Sequence, residues 1–421
     1  MNVLILITIF LLITYLYVRR HTGALACLVV LYFNIISTAL FGVSDSLFEK
    51  KSIVYFFLYI LCIVSLTKYR RFKLSVYFTN PAVIAVCVFI VNMFVHDYVI
   101  STYMLFHESD MKAFQMNVMI NSMFPFLALP LFIRNENEEH SFLNSIVFYA
   151  VLYYIVLFFT VGFNMEILSD RMLMEEDSII NPITLSRYAG IAVIFGFVYF
   201  FKSESIIHKS FFGVLTIVFF FVLLAAGQRG TLIGVMLAMS LLLFRQGVFK
   251  SVLRFLPFLI ILGVVLTTFS FQVFERFEQF EDYDSFQRYD DYFNVFRIFE
   301  SNYFLFGLGS CGYEFATGRS YPHNIVLEHI VNYGLVGFLC IMTILLCCVK
   351  YAFQILKRGE NLNDLGIICC WIVLFFSACL SASIAGNRLF YIFSALIILK
   401  KMELQKNVHA KRLISKKKYG I

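Results

Sequence analysis

Charged side chains are scarce in this sequence, in which Asp, Glu, Lys and Arg make up 14% of the 421 residues. A water-soluble domain usually carries roughly a quarter of its residues as charges. Hydrophobic residues make up 60% of the chain, and apolar runs long enough to cross a bilayer recur from one end to the other. The composition therefore excludes a soluble protein and predicts an all-α polytopic membrane protein.

Paired cysteine motifs are also missing from the sequence. Nine of the ten Cys residues fall inside apolar runs, and only Cys311 lies in a polar loop. Without a second loop thiol, Cys311 has no intramolecular disulfide partner, and no CxxC spacing indicates zinc or redox chemistry. We interpret the cysteines as small packing residues.

Apolar windows of roughly 17 to 25 residues define the candidate membrane spans. Thirteen such windows cover 2–18, 22–43, 52–67, 79–97, 113–133, 141–162, 183–201, 210–227, 230–244, 252–271, 323–349, 365–383 and 386–399. No basic residue precedes the first window, so we expect it to be retained as a span and not cleaved as a signal peptide. Because the last window is the weakest, the sequence predicts 12 or 13 spans.

These spans are expected to form a single transmembrane domain, residues 1–402, followed by a basic tail, residues 403–421. Most of the 34 Lys and Arg residues fall in loops on one side of the proposed topology. The positive-inside rule then places the N-terminus outside and the C-terminus inside. The lysine-rich stretch 400–418 is expected to be a solvated anchor to anionic lipid headgroups.

The outer loops are predicted to be acidic, and their cations are mostly arginines. The planar guanidinium group matches phosphate oxygens, so this bias favours phosphate recognition. Pairing with nearby loop carboxylates explains the same bias. Two outer loops are long, 163–182 and 272–322. The second is longer than a plain connection needs, and such loops are usually functional or disordered. Its aromatic content argues against disorder.

Aromatic residues recur at every third position through residues 271–292, with carboxylates between them. Three residues turn an α-helix by only about 300°, so one straight helix cannot keep these rings on one face. We therefore expect two or more short helices, or a broken helix, on the membrane surface above the site. The rings and carboxylates suit a carbohydrate groove, but for most individual rings we favour an interfacial aromatic belt with lid packing, and we expect at least a few rings to line a substrate channel.

The same long loop contains GLGSCG at 307–312, which formally fits the GxGxxG dinucleotide motif. That motif requires a preceding strand in a βαβ unit, and none is expected here. We expect a tight turn whose backbone N–H groups approach a substrate near Gly309. A second polar outer stretch has spacing too irregular for a metal site, and we expect a solvated loop there. It contains His96, Asp97, His107, Glu108 and Asp110.

Residues 321–338 read YPHNIVLEHIVNYGLVGF and place polar groups at the mouth of an apolar run. Pro322 and Asn324 predict the start of a helix, with Asn324 as its cap. His323 then lies beside a positive helix end, which disfavours imidazolium and keeps a neutral base available. The same helix end favours an anion such as a phosphate. The alternative is that His323 only caps or packs.

Glu328 is expected about one turn deeper, where an unpaired carboxylate is costly. We expect an outer-face arginine or a substrate hydroxyl as its partner, and Arg187 and Arg229 share this boundary. Snorkelling to lipid headgroups is the alternative for Arg187. Gly334 and Gly337 are predicted to allow a close approach between helices.

Taken in order, QRG between two spans, GLGSCGYEF and PHNIVLEHIVNYGLVGF resemble the O-antigen polymerase and O-antigen ligase superfamily of bacterial surface-polysaccharide enzymes. The resemblance covers about residues 180–345. It implies a membrane-embedded, GT-C-like glycosyltransferase that inverts the configuration at the anomeric carbon and needs no metal or cofactor. The implied donor is an undecaprenyl-diphosphate-linked oligosaccharide, and the implied location is the bacterial inner membrane with a periplasmic active site. A chain-length regulator and a flippase are the implied protein partners, and no nucleic acid is expected.

Carried onto this sequence, the resemblance implies His323, Arg229 and Arg288 as catalytic residues. The expected substrate-binding residues are Arg187, Asn324, Glu328, Gly309, Tyr321 and Arg319. We favour a polymerase that moves a growing chain onto a new lipid-linked repeat unit, with a ligase acting on lipid A core or protein as the alternative. A flippase or transporter would show inverted repeats and charges near the midplane, and the sequence shows neither.

Overall fold

The computed structural model describes residues 22–27, 74–103, 108–133, 135–161, 182–247, 283–300, 303–358, 361–381 and 383–419, together with 252, 256 and 260. Over these residues the regular structure is entirely helical. The helices are α1 (Thr22–Cys27), α2 (Leu74–Phe78), α3 (Pro81–Tyr103), α4 (Glu108–Val118), α5 (Phe124–Phe132), α6 (Glu136–Val161), α7 (Pro182–Lys202), α8 (Ile206–Ala225), α9 (Arg229–Gln246), α10 (Tyr283–Phe299), α11 (Gly312–Thr317), α12 (Ile325–Arg358), α13 (Leu362–Leu380) and α14 (Arg388–Tyr419). A π-helical turn, Met119–Met123, joins α4 to α5.

Five of the described helices, α3, α7, α8, α12 and α13, are long and apolar enough to cross a membrane. They correspond to the predicted spans 79–97, 183–201, 210–227, 323–349 and 365–383. The prediction of an all-α polytopic membrane protein is confirmed. The predicted spans 2–18 and 52–67, with most of 22–43 and 252–271, lie outside the described residues. The total of 12 or 13 spans therefore stays a prediction, as do the division at residue 402 and the orientation in the membrane.

Helix α7 lies inside the bundle, with 83% of its membrane-spanning window buried. Small residues let its neighbours α9 and α13 approach each other closely. A Cβ atom on Gly234 of α9 would lie 2.7 Å from the Cα atom of Val373 on α13, and one on Gly230 would lie 2.9 Å from the Cβ atom of Leu380. Because both glycines lie on one face of α9, this contact fixes the end of α9 where Arg229 begins the helix.

Helix α12 begins as the sequence predicts. The side-chain oxygen of Asn324 accepts the N–H groups of Val326 at 2.9 Å and Leu327 at 3.3 Å, so Asn324 is the N-cap. At Gly334 the backbone adopts φ 59° and ψ −150°, which interrupts the helix. Helix α12 therefore consists of a short piece before Gly334, here called the outer piece after its predicted orientation, and a long inner piece after it.

The segment 303–310 occupies the break in α12. The N–H groups of Leu308 and Gly309 donate to the carbonyls of Val331 and Asn332, at 2.8 and 2.7 Å. In return, the N–H group of Leu335 donates to the Phe304 carbonyl at 2.9 Å. These bonds make 303–310 part of the helix break.

The two glycines of α12 do not serve a contact between helices, so that prediction is wrong. A Cβ atom on Gly334 would overlap the carbonyl carbon of Leu305, which lies in the 303–310 segment. A Cβ atom on Gly337 would overlap the carbonyl oxygen of His329, on the outer piece of the same helix. Both glycines are needed because the helix bends and admits a loop.

An ion cluster joins α6, α13 and α14 at the opposite end of the bundle from Asn324. The Lys400 ammonium lies 3.1 Å from Glu139, 3.1 Å from Asp364 and 3.2 Å from Glu403. Lys400 and Lys401 are only 5% and 8% exposed. The expectation of a solvated anchor from residue 400 is therefore wrong for these two lysines, because Lys400 is paired and both are packed into the bundle.

We expect Gly334→Ala to lower thermal stability, measured as Tm in detergent. An L-residue at this backbone conformation costs about 1–3 kcal/mol, and the added methyl group also overlaps Leu305. Gly318→Ala is the matched control, because Gly318 also has a positive φ, 71°, but has nothing within 4 Å of its Cβ position. Equal losses of Tm in the two variants would contradict a role for the loop contact.

Candidate functional site

His323 occupies an unusual backbone position immediately before the cap of α12. Its φ of 50° lies in the left-handed region, where residues other than glycine are uncommon. Its ring packs edge-on against Tyr321, with 4.6 Å between ring centroids, and both side chains are partly exposed. Because such a conformation persists only where the surroundings impose it, His323 is a candidate functional residue on backbone geometry.

The start of α12 offers fewer donors to an anion than the sequence suggested. The Asn324 side chain already accepts the N–H groups of Val326 and Leu327. The N–H group of Glu328 donates to the Asn324 carbonyl at 2.9 Å. The helix dipole still favours negative charge here, but a bound phosphate needs donors from elsewhere, such as arginine side chains.

Glu328 is 1% exposed and pairs with no arginine among the described residues. Its Oε2 atom accepts the backbone N–H of Ile384 at 2.7 Å, in the loop between α13 and α14. A backbone donor thus takes the place of the expected arginine, and a contact with a substrate hydroxyl stays a prediction. Satisfying the carboxylate with a backbone donor gives Glu328 a structural role, which is to hold the 381–387 loop.

Arg187, near the start of α7, holds the same loop from the other side. Its Nε atom donates to the Ser377 hydroxyl at 2.8 Å. Its two terminal nitrogens donate to the carbonyls of Gly386 at 2.7 Å and Ser381 at 3.1 Å, and to the Asn387 side-chain oxygen at 2.7 Å.

All four of these acceptors are neutral, and Arg187 is 3% exposed. Snorkelling to lipid headgroups is excluded, because the guanidinium hydrogen bonds stay inside the protein. The side chain is buried and bound to the 381–387 loop, which gives Arg187 a positioning role, and its predicted direct contact with substrate stays a prediction.

The 381–387 loop is a part of the site that the sequence did not reveal. Ser122, in the π-helical turn, donates its hydroxyl to the Ile384 carbonyl at 2.8 Å. Arg388 follows the loop as the first residue of α14 and donates to the side chain of Asn121. The signal available in the sequence was the cluster of Ser, Asn and Arg between two apolar runs.

Arg229 is exposed at the first position of α9 and lies close to this network. Two residues further on, the Thr231 hydroxyl lies 3.1 Å from Ser186 and donates to Ser377 at 3.2 Å. Ser377 is also the acceptor for Arg187. The structure therefore brings Arg229 and Arg187 to the same end of the bundle, one accessible and one buried.

The glycine-rich turn is confirmed as a turn, but its N–H groups bind protein acceptors. Gly309 has a φ of 86°, is buried and donates to Asn332. Ser310 donates its backbone N–H to Asp97 at 2.8 Å, and its hydroxyl lies 2.7 Å from that of Tyr333. Gly309 therefore shapes the loop, and the predicted approach of this turn to a substrate stays a prediction.

Asp97 is the residue that fixes this turn to α3. It is 2% exposed, accepts both donors of Ser310 and also accepts the Gln115 side chain at 2.6 Å. The solvated loop expected around it is wrong for Asp97, because α3 continues through this position to Tyr103. His107 lies outside the described residues.

Helix α10 carries the predicted Arg288, whose side chain is not among those described. Residues 283–299 form one continuous helix, and residues 271–282 lie outside the described part of the chain. Because this helix covers only the second part of the aromatic repeat 271–292, the expectation of two or more short helices or a broken helix stays a prediction.

Ion pairs and hydrogen bonds tie α10 to α11 and to the loop that follows α11. Asp291 accepts the Tyr313 hydroxyl at 2.6 Å and the Arg319 guanidinium at 2.7 Å. The hydrogen bond to Asp291 raises the pKa of Arg319 above its ordinary value. Arg319 also lies 3.5 Å from Asp290. Arg319 therefore positions α10, and a substrate contact through its exposed part stays a prediction.

Cys311 is an inert thiol in this setting. Burial, followed by nearby carboxylates, raises the pKa of its thiol to about 12, so it stays protonated at neutral pH. Its backbone is left-handed, with φ 60°. Cys311 therefore contributes to the shape of the turn and not to nucleophilic chemistry.

We expect Arg187→Lys to loosen the 381–387 loop, because one ammonium group cannot replace a planar fork that makes four hydrogen bonds. The measurement is amide hydrogen exchange of peptides covering 381–388. Arg245→Lys is the matched control, since Arg245 is exposed and donates to the Leu356 carbonyl at 3.1 Å, away from the 381–387 loop. Unchanged exchange in Arg187→Lys would contradict the positioning role.

The comparisons with known proteins bear on the segment that contains most of this site. The comparison with curated proteins gives no match. The matched family segment, residues 214–342, includes Arg229, α10, the 303–310 segment, His323 and Glu328, whereas Arg187 and the 381–387 loop lie outside it. These residues match the family model Wzy_C, described as O-antigen ligase, and the match confirms the resemblance to the O-antigen polymerase and ligase superfamily.

Proposed function

We propose that this protein is a surface-polysaccharide polymerase, a glycosyltransferase that moves a growing glycan from undecaprenyl diphosphate onto a new lipid-linked repeat unit. The family match supports a membrane enzyme of polysaccharide biosynthesis at the coarse level. The observation that carries the proposal is His323, held in a left-handed conformation at the start of α12 inside the matched segment. Its ring is partly exposed.

In the proposed reaction an acceptor hydroxyl attacks the anomeric carbon of the donor glycan from the face opposite the diphosphate. The new C–O bond forms as the bond to the diphosphate oxygen breaks, which inverts the configuration. The hydroxyl proton passes to a ring nitrogen of His323, acting as general base. The lipid diphosphate leaves as an anion.

The arginines at this end of the bundle are proposed to stabilise the leaving diphosphate. Arg229 is exposed at the start of α9, and Arg288 is carried by α10 in the long loop. One guanidinium group can bind two phosphate oxygens at once, and its positive charge stabilises the negative charge that develops on the leaving group. Tyr321, beside His323, is proposed to contact the acceptor sugar.

Arg187, Glu328 and Asn324 are proposed to act through the backbone. Arg187 and Glu328 hold the 381–387 loop beside the start of α12, and Asn324 caps that helix. Neutral acceptors leave the charge of Arg187 uncompensated, so its field supports anion binding nearby without direct contact. This division separates residues that touch the substrate from residues that position the site.

A ligase is the second candidate, and the description of the matching family model, O-antigen ligase, favours it. A ligase uses the same donor chemistry but transfers the glycan to lipid A core or to a protein. Deletion of the gene separates the two. A polymerase deletion accumulates core capped with a single repeat, whereas a ligase deletion leaves uncapped core and long lipid-linked chains.

We expect His323→Ala to reduce glycan extension by purified protein with lipid-linked substrate by about 10²–10⁴-fold, the usual contribution of a general base. His208→Ala is the control, because His208 is exposed at the start of α8, outside the proposed site. Extension at the wild-type rate in His323→Ala would show that the mechanism is wrong.

We also expect the turnover rate to fall as the pH is lowered through the titration range of His323. A protonated imidazole cannot accept the hydroxyl proton, so protonation of His323 removes the proposed general base. The measurement is the pH–rate profile of wild-type protein and of His323→Gln. If the rate fell equally at low pH in the wild type and in His323→Gln, the titrating group would be a residue other than His323. His323 would then only orient the acceptor.

A further inference from the structure

One face of α10 is aromatic and exposed. Tyr289, Phe293 and Phe296 are 76%, 65% and 59% exposed, and their i, i+4, i+7 spacing places them in one stripe along the helix. The opposite face is fixed to the protein, with Asp291 and Val295 only 3% and 1% exposed. The helix is therefore docked on one side and presents three large rings on the other.

The turn that follows α10 is also apolar and exposed. Tyr303, Phe304, Leu305 and Phe306 are 38–55% exposed. Hydrogen bonds hold its backbone, since Leu335 donates to the Phe304 carbonyl. An ordered run of four exposed apolar residues marks a contact surface and is unusual in water.

This turn is continuous with the lipid-facing surface of a membrane span. The Phe306 ring stacks on His96 of α3, with ring centroids 6.1 Å apart and planes 22° apart. Around His96, the side chains of Val95, Tyr98 and Val99 are 58%, 75% and 45% exposed. Helix α3 is one of the candidate spans, so these exposed side chains face lipid.

The hydrogen bond from Leu335 of α12 to Phe304 indicates how deep the turn 303–306 lies in the membrane. Lys350 is the first charged residue along α12 after the break, and about 20 residues of helix cross the hydrocarbon core. The continuous helix from Leu335 to Lys350 rises only about 22 Å, less than the roughly 30 Å of the hydrocarbon core, so Leu335 lies inside the hydrocarbon layer. The turn hydrogen-bonded to Leu335 then lies at the same depth, in the outer part of that layer.

We propose that the aromatic stripe of α10 and the turn 303–306 insert into the outer leaflet, where their rings contact phospholipid at the boundary between headgroups and acyl chains. These rings are then an anchor in the bilayer and not a carbohydrate groove. Because Asp291 binds both Tyr313 and Arg319, the anchor sets the depth of the elements that lead to His323.

The test places tryptophan in the stripe and measures quenching by lipid. Phe293→Trp and Phe296→Trp each replace one exposed ring by another, so folding is expected to be kept. The chain has a single natural Trp, Trp371, which is 5% exposed, and its emission is subtracted using the wild-type protein. Each variant is reconstituted in phosphatidylcholine vesicles with or without bromine on the acyl chains near the headgroup, and is separately titrated with aqueous iodide.

We expect brominated lipid to reduce the added emission about twofold or more at both positions, with little effect of iodide, as for a face buried about 5–10 Å in the interface. Glu314→Trp is the control, because Glu314 is an exposed acid on α11, and it should show the reverse pattern. Iodide quenching without lipid quenching at 293 and 296 would overturn the proposal. Protection of those positions from iodide by the oligosaccharide substrate would then assign the rings to a glycan groove.

Discussion

The break in α12 is the constraint on which the rest of the outer end depends. A helix that stops at Gly334 leaves the carbonyls of Val331 and Asn332 without their usual donors, in a span where water cannot satisfy them. The N–H groups of Leu308 and Gly309 take over this role. The long outer loop is therefore fixed to a membrane helix by backbone hydrogen bonds, and these bonds also position the residues of that loop.

From this junction, contacts extend in two directions. Towards α3, Ser310 binds Asp97 and Tyr333, which fixes the glycine-rich turn. Towards α10, the Asn332 side chain accepts the N–H group of Tyr313, whose hydroxyl reaches Asp291. The short outer piece of α12 is thus fixed below by the loop and above by its Asn324 cap. A left-handed residue costs of order 1–3 kcal/mol, and this rigidity on the C-terminal side of His323 can support it.

Much of this arrangement follows from sequence, and the remainder depends on long-range partners. The cap at Asn324 was predictable because capping is local, and the spans were predictable because length and apolar composition specify them. The role of Gly334 was not predictable, because its neighbour Leu305 is distant in sequence. Hydrophobic periodicity predicts which residues are buried but not which residues they contact. The same holds for Glu328, whose partner Ile384 lies 56 residues away. A local rule predicted an arginine partner, and a backbone N–H satisfied the carboxylate instead.

Arg187 and Glu328 are both buried, and because each binds the 381–387 loop they do not pair with each other. Arg187 and Glu328 each bind this loop, through neutral acceptors in one case and a backbone donor in the other. Had they paired with each other, their fields would largely cancel at the surface. Held apart by a loop, Arg187 keeps a positive potential at the end of the bundle where Arg229 is exposed. In the proposed reaction the leaving diphosphate gathers negative charge at this end, so a structural arginine and a substrate-facing arginine support the same step from different depths.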